Sequence, residues 1–187
     1  MKRYLLILIT GLLHISSLAC VSQVFEVEKY GEDYDAFARL CDDVNKNRGG
    51  HVVFPRNKIY TLEINNDYHG GHRSLPQDSS VLLKFKGCNT IDVDLNGCTL
   101  VVAPNHSTKY AVALFFDCKS FRLYDGCLIG DAIGHDYSPV VYKRKLEKST
   151  HEWGYGILVL GSRGTIENVT LLNMTGDGIY VGGVSHQ

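Results

Sequence analysis

Between Asp33 and Arg48 apolar side chains return every three or four positions, placing Ala36, Phe37, Leu40, Cys41 and Val44 on one helical face. Asp33 and Asp35 at the start and Lys46 and Arg48 at the end suit the helix dipole. Gly49 and Gly50 are the expected stop. Past them the pattern changes. Short runs of Val, Ile, Leu, Tyr and Phe alternate with glycine, asparagine and aspartate corners, which predicts many short strands joined by tight turns.

These runs repeat. "VLLKF" from Val81, "AVALFF" from Ala111, "GILVL" from Gly156 and "GIYVG" from Gly178 have comparable settings. Taking Leu82, Val112, Ile157 and Ile179 as equivalent gives steps of 30, 45 and 22 residues. A second set, "NTIDVDLNGCTL" (Asn89–Leu100), "KSFRLYDGCLI" (Lys119–Ile129) and "GTIENVTLLNM" (Gly164–Met174), follows with shifts of 29 to 30 and then 45. A 22-residue period of three short strands is that of a parallel β-helix coil, and the longer steps are coils with insertions of roughly 8 and 23 residues. The insertions Ala103–Tyr110 and Gly130–Gly154 both precede a coil's first strand, so they are expected to leave at one corner, together with Asn65–Ser80. Cys88 with Cys118, and Cys98 with Cys127, fall at matching coil positions about 4.8 Å apart. Packed free thiols are the expectation, because parallel neighbours rarely have disulfide geometry; disulfides stay the alternative.

The first 22 residues stand apart. Lys2 and Arg3 precede the apolar run Tyr4–Leu13, and the small residues of "SSLACVS" follow, the order of a secretory signal. The run is too short to span a bilayer. Cleavage after Ser22 is expected, with residues 23–187 as the folded unit. Lipidation at Cys20 is the alternative, although Ser17 stands where a lipobox usually has leucine. Losing the cations Lys2 and Arg3 takes the net charge from −1 to −3, which argues against a nucleic-acid partner. An exported protein would be periplasmic, surface-bound or extracellular.

After the helix comes "GGHVVFPRNKIY" (Gly49–Tyr60), in which Gly49, Gly50, Val52, Phe54, Pro55 and Tyr60 match the pattern G-G-x-V-x-F-P-x-x-x-Y. This resembles the N-terminal segment of the pectate-lyase-like superfamily, in the branch holding rhamnogalacturonase- and polygalacturonase-like enzymes and phage tailspikes. "EWGYGI" (Glu152–Ile157) and "GDGIYVGG" (Gly176–Gly183) are also similar to stretches of exported bacterial members. The resemblance implies an all-β, right-handed parallel β-helix with an N-terminal capping α-helix. It also implies several hundred residues, so the chain is expected to be the front part of a longer solenoid, truncated at its C-terminal end. Its open last coil is then an expected surface for association.

Candidate chemistry gathers at the inserted corner. "IGDA" and "TGDG" put Asp131 and Asp177 in similar places, and stacked carboxylates would part in pKa as glycosidic cleavage requires. Glu152 could replace either. His135 and His151 could polarise a substrate oxygen or ligate a metal. Trp153, Tyr155, Tyr137 and Tyr142 could face sugar rings. Arg144, in the basic run "YKRKLEK", could meet an acidic polysaccharide. Each has a plainer reading: aspartate caps its own turn, loop histidines and charged runs are solvated, and loop aromatics pack the loop down. The polygalacturonase motifs N-T-D, G-H-G and R-I-K are absent, as is the calcium carboxylate set of pectate lyases. Neither activity transfers residue by residue, and no cofactor or metal is expected. Two functions remain: a polysaccharide-degrading hydrolase or lyase using Asp131, Glu152 and Asp177, or a non-catalytic glycan-binding or surface scaffold.

Overall fold

The computed structural model describes residues 22–64, 80–142, 145–147 and 151–183. The expected leader up to Val21, the connection 65–79 and Arg144 lie outside the described residues.

Strand β1 (Val24–Glu26) leads through a 3-10 turn to helix α1 (Tyr34–Lys46). Then come β2 (Gly49–Val53), β3 (Ile59–Leu62), β4 (Val81–Lys86), β5 (Thr90–Asp94), β6 (Thr99–Val102), β7 (Lys109–Phe116) and β8 (Phe121–Ile129). The chain continues through β9 (Val140–Tyr142), β10 (Lys145–Glu147), β11 (Trp153–Leu160), β12 (Gly164–Leu172) and β13 (Ile179–Gly182).

Helix α1 forms as the periodicity predicts. The Asp33 carboxylate accepts the Ala36 N–H at 2.7 Å, and Ala36, Phe37, Leu40, Cys41 and Val44 are all buried. The expected glycine stop is corrected: the helix ends at Lys46, and Arg48, at φ 60°, reverses the chain. Gly49 instead opens β2, where a Cβ would stand 1.9 Å from the Thr90 carbonyl oxygen. That residue is glycine because two strands approach there. The helix covers strand β4, an edge of its sheet. Asn45 donates to the Lys84 carbonyl at 2.9 Å and accepts the Lys86 N–H at 2.8 Å, while the Lys84 N–H reaches Cys41 Sγ at 3.2 Å. Edge groups that would invite another strand are thereby satisfied. Phe37 meets Phe54 and Tyr60 edge-on or tilted, with centroids 5.9 and 5.4 Å away.

Two parallel sheets carry the rest. One has the order β4–β7–β11–β13. In the other, β1, β2, β5 and β8 follow in turn, β12 pairs with β8, and β3 pairs with β6, which pairs with β8. The long strand β8 thus serves two shorter ones. It can do so because Gly126 lacks the Cβ that would lie 2.5 Å from Leu95 Cβ. The antiparallel pair β9–β10 lies inside the long connection. The corners repeat as well. Arg48, Gly87, Asp117 and Gly161 all have φ between 51° and 61°, as do Asn57, Asn96, Asp125 and Asn168 between 50° and 59°. Glycine, asparagine and aspartate enter this left-handed region most readily, which explains the corner composition. The core between the sheets stacks Phe85, Phe115 and Phe121, with centroids 5.5 and 4.1 Å apart.

The register corrects the repeat in detail. The steps Val81 to Ala111 and Ile157 to Ile179 are 30 and 22 residues, as read from the sequence. Strand β11 answers β7 at 44 residues, with Ala113 opposite Ile157. Strand β12 answers β8 at 43, with Phe121 opposite Gly164. A one-residue slip normally exchanges buried and exposed faces, but seven of the eight residues of β7 are buried, so no alternation marks its register. The two-residue slip in β8–β12 leaves the faces unchanged and has no signature in the pattern. Cys127 stands opposite Thr99, not Cys98, whose thiol donates instead to the Pro55 carbonyl at 2.7 Å. Cys41, Cys88, Cys98, Cys118 and Cys127 are free thiols.

Candidate functional site

The two inserted connections meet. Residues 103–108 precede β7, and residues 130–152 separate β8 from β11. They are bound through Asp131, whose side chain is wholly enclosed. Its Oδ2 accepts the Asn105 backbone N–H at 3.1 Å and the Asn105 amide at 2.6 Å. The same oxygen lies 2.6 Å from His135 Nδ1, itself enclosed. His135 Nε2 lies 2.9 Å from His151 Nδ1, and His151 Nε2 lies 2.9 Å from the Ser138 carbonyl. The contacts thus run from the Asp131 carboxylate through two imidazole rings to the Ser138 carbonyl. Such a buried array is stable only while its members stay paired.

Around it, Tyr137 lies edge-on to His135 with centroids 4.6 Å apart, and His106 faces His151 at 5.2 Å. His106 Nδ1 is 3.3 Å from Asp136 Oδ2. Hydrogen bonds from the Ser138 hydroxyl and N–H hold the Asp136 carboxyl below its ordinary range. Underneath, the Asp131 N–H donates to the Tyr110 hydroxyl at 3.3 Å. Burial, reinforced by the Asp131 charge, pushes the Tyr110 phenol well above its usual value. Four buried side-chain oxygens among the described residues have no hydrogen-bond partner, and two of them, Asp131 Oδ1 and Thr175 Oγ1, belong to this region.

Of the residues singled out from sequence, three join this array: Asp131, His135 and His151. All three are interior groups. The expected stacking of Asp131 on Asp177 is corrected. The Gly130 N–H bonds to the Leu172 carbonyl and the Ala132 N–H to the Asn173 carbonyl, so Asp131 stacks below residues 172–174. Asp177 belongs to the other sheet's column, its carbonyl accepting the Gly156 N–H at 3.2 Å. Asp177 is exposed beside Tyr155, whose phenol is raised first by burial and then by the Asp177 charge.

Glu152 is exposed as well, and its carbonyl oxygen would lie 2.2 Å from a Cβ at Gly176. Glu152 and Gly176–Asp177 therefore sit on adjoining rungs. Tyr155 is buried and packs on Tyr180 at 5.5 Å, so it offers no face to a sugar. Trp153 is half-buried in β11 opposite Lys109. Asn105, His106, Tyr110 and Ser138 were not legible as members of the site. The only hint was that Asn105 and His106 share an insertion. Among the described residues, no cluster of three or more His, Cys, Asp or Glu could hold a metal, and no helix is long and apolar enough to cross a membrane.

No family model matches the chain, and no solved structure does. Two curated relatives come from Bacillus subtilis (strain 168). The SPbeta prophage-derived uncharacterized protein YorA is 31% identical over 135 residues, which cover 72% of this chain and 20% of that protein. The uncharacterized protein YclG is 34% identical over 85 residues, 45% of this chain and 14% of that protein. The chain thus spans a fifth or less of the length of these relatives.

Proposed function

We propose that the chain is the N-terminal part of an exported, right-handed parallel β-helix of the pectate-lyase-like kind, which binds and cleaves a polysaccharide along its inserted edge. The observation that carries this reading is the mutual fastening of the two insertions by the buried Asp131–His135–His151 array. Ordering long connections through an enclosed polar network is costly. A scaffold gains little from it, whereas a binding edge needs fixed walls. On that edge Glu152 and Asp177 are the exposed carboxylates on adjoining rungs, and they take the roles of general acid and base. The buried array positions the connection that ends at Glu152; it does not touch the sugar.

The experiment is cleavage of an oligosaccharide panel, acidic and plant-type sugars included, by the gene product containing this chain. Glu152→Gln and Asp177→Asn should each lower turnover by about 100-fold or more. Undiminished turnover in both variants removes the assignment. The prophage origin of one relative favours a second reading, a non-catalytic β-helix that binds glycan at a surface. Binding to the panel without any cleavage would select it.

A further inference from the structure

Away from the inserted edge, two cysteines sit one above the other at a repeated corner. The Lys119 N–H donates to the Cys88 carbonyl at 2.8 Å, and Ile91 stands opposite Phe121, so Cys88 and Cys118 are register neighbours. Parallel neighbours about 4.8 Å apart at the backbone fall within the Cα separation a disulfide spans. Both thiols are buried and free. Cys88 Sγ lies 3.7 Å from Asn45 Oδ1, and Cys118 Sγ lies 3.6 Å from the Phe116 carbonyl. The pairing of the two thiols draws Cys118 below the ordinary thiol value and pushes Cys88 above it. A depression of about 320 Å³ opens onto Cys118, lined by Asp117, Lys119, Gly161 and Arg163. Lys119 and Arg163 are exposed cations at its mouth.

We infer that Cys88 and Cys118 form a redox-responsive pair, which a small anionic disulfide entering between Lys119 and Arg163 converts to a rung-to-rung disulfide. Cys118, as thiolate, attacks one sulfur of the incoming disulfide, forms a mixed disulfide and expels one small thiolate. Cys88 then loses its proton, attacks Cys118 Sγ and expels the second. The two cysteines give up two electrons and two protons, and the small disulfide is reduced to two thiols. Cys41 is the rival partner across the α1 face, but its sulfur is engaged by the Lys84 N–H at 3.2 Å.

The test treats the reduced, folded chain with oxidised glutathione, followed by acid quench, alkylation and peptide mass mapping. A linked Cys88–Cys118 peptide lacking two hydrogens should dominate, and the melting temperature should rise by about 5 °C or more. Cys88→Ser should halt at a glutathione adduct on Cys118. Lys119→Glu with Arg163→Glu, which leaves both thiols in place, should slow the reaction about threefold or more. It should not slow the reaction with uncharged hydroxyethyl disulfide. Cys88 and Cys118 both remaining alkylatable, or a dominant link from either to Cys41, overturns the inference.

Discussion

Two aspartates in near-identical Gly-Asp settings have opposite fates. Asp131 is enclosed and receives Asn105 and His135, whereas Asp177 is exposed at a corner. The sequence contains no sign of the difference, because it arises from which residue lies one rung away, and that depends on register. Removing Asp131 strands two Asn105 donors and His135 together. Asp131→Ala should therefore cost about 3 kcal/mol, read from urea unfolding. Asp177→Ala should stay within about 0.5 kcal/mol of the parent chain. Equal losses at the two positions would mean that the buried array does not hold the connections. The helical face from Ala36 to Val44, by contrast, was readable residue by residue, since it depends only on local periodicity.

At the level of elements, the strands and corners were legible, and the shift between them was not. Left-handed backbone at Asn96, Asp125 and Asn168 explains why turn residues recur. Nothing comparable marks the offset of β11 on β7, because β7 is buried almost throughout. The seam between α1 and β4 makes a separate prediction about alkali. Burial pushes the Cys41 thiol up to about 12, against about 8.5 in an unfolded chain. The unfolded state therefore loses its proton first. This contribution is complete below about pH 8.5 and is lost as pH climbs toward the folded value. Between pH 7.5 and 10 the parent chain should lose about 2 kcal/mol more stability than Cys41→Ala in urea titrations. Parallel pH profiles would show that the thiol is not enclosed by the helix.

For the whole molecule, recurrence of apolar runs led to stacked parallel strands, and every pairing between successive rungs is parallel. Among the described residues, β12 and β13 each have a partner on one side only. Leu172, Ile179 and Val181 are exposed there at 46%, 45% and 71%. Such an edge promotes association. Sedimentation of the isolated 187-residue chain should reveal oligomers, and lysine at positions 179 and 181 should shift them toward monomer. A monodisperse parent chain would contradict this. The pairing of β7 with β11 has a further consequence, in time. Ala111–Phe115 leave the ribosome well before Trp153–Leu160, their neighbours in the sheet, have been made. At about 5–20 residues per second, that oily segment waits for seconds without its mate. During synthesis the nascent polypeptide must be shielded by whatever already stands behind it, and the helix-covered first rungs are the part that exists by then.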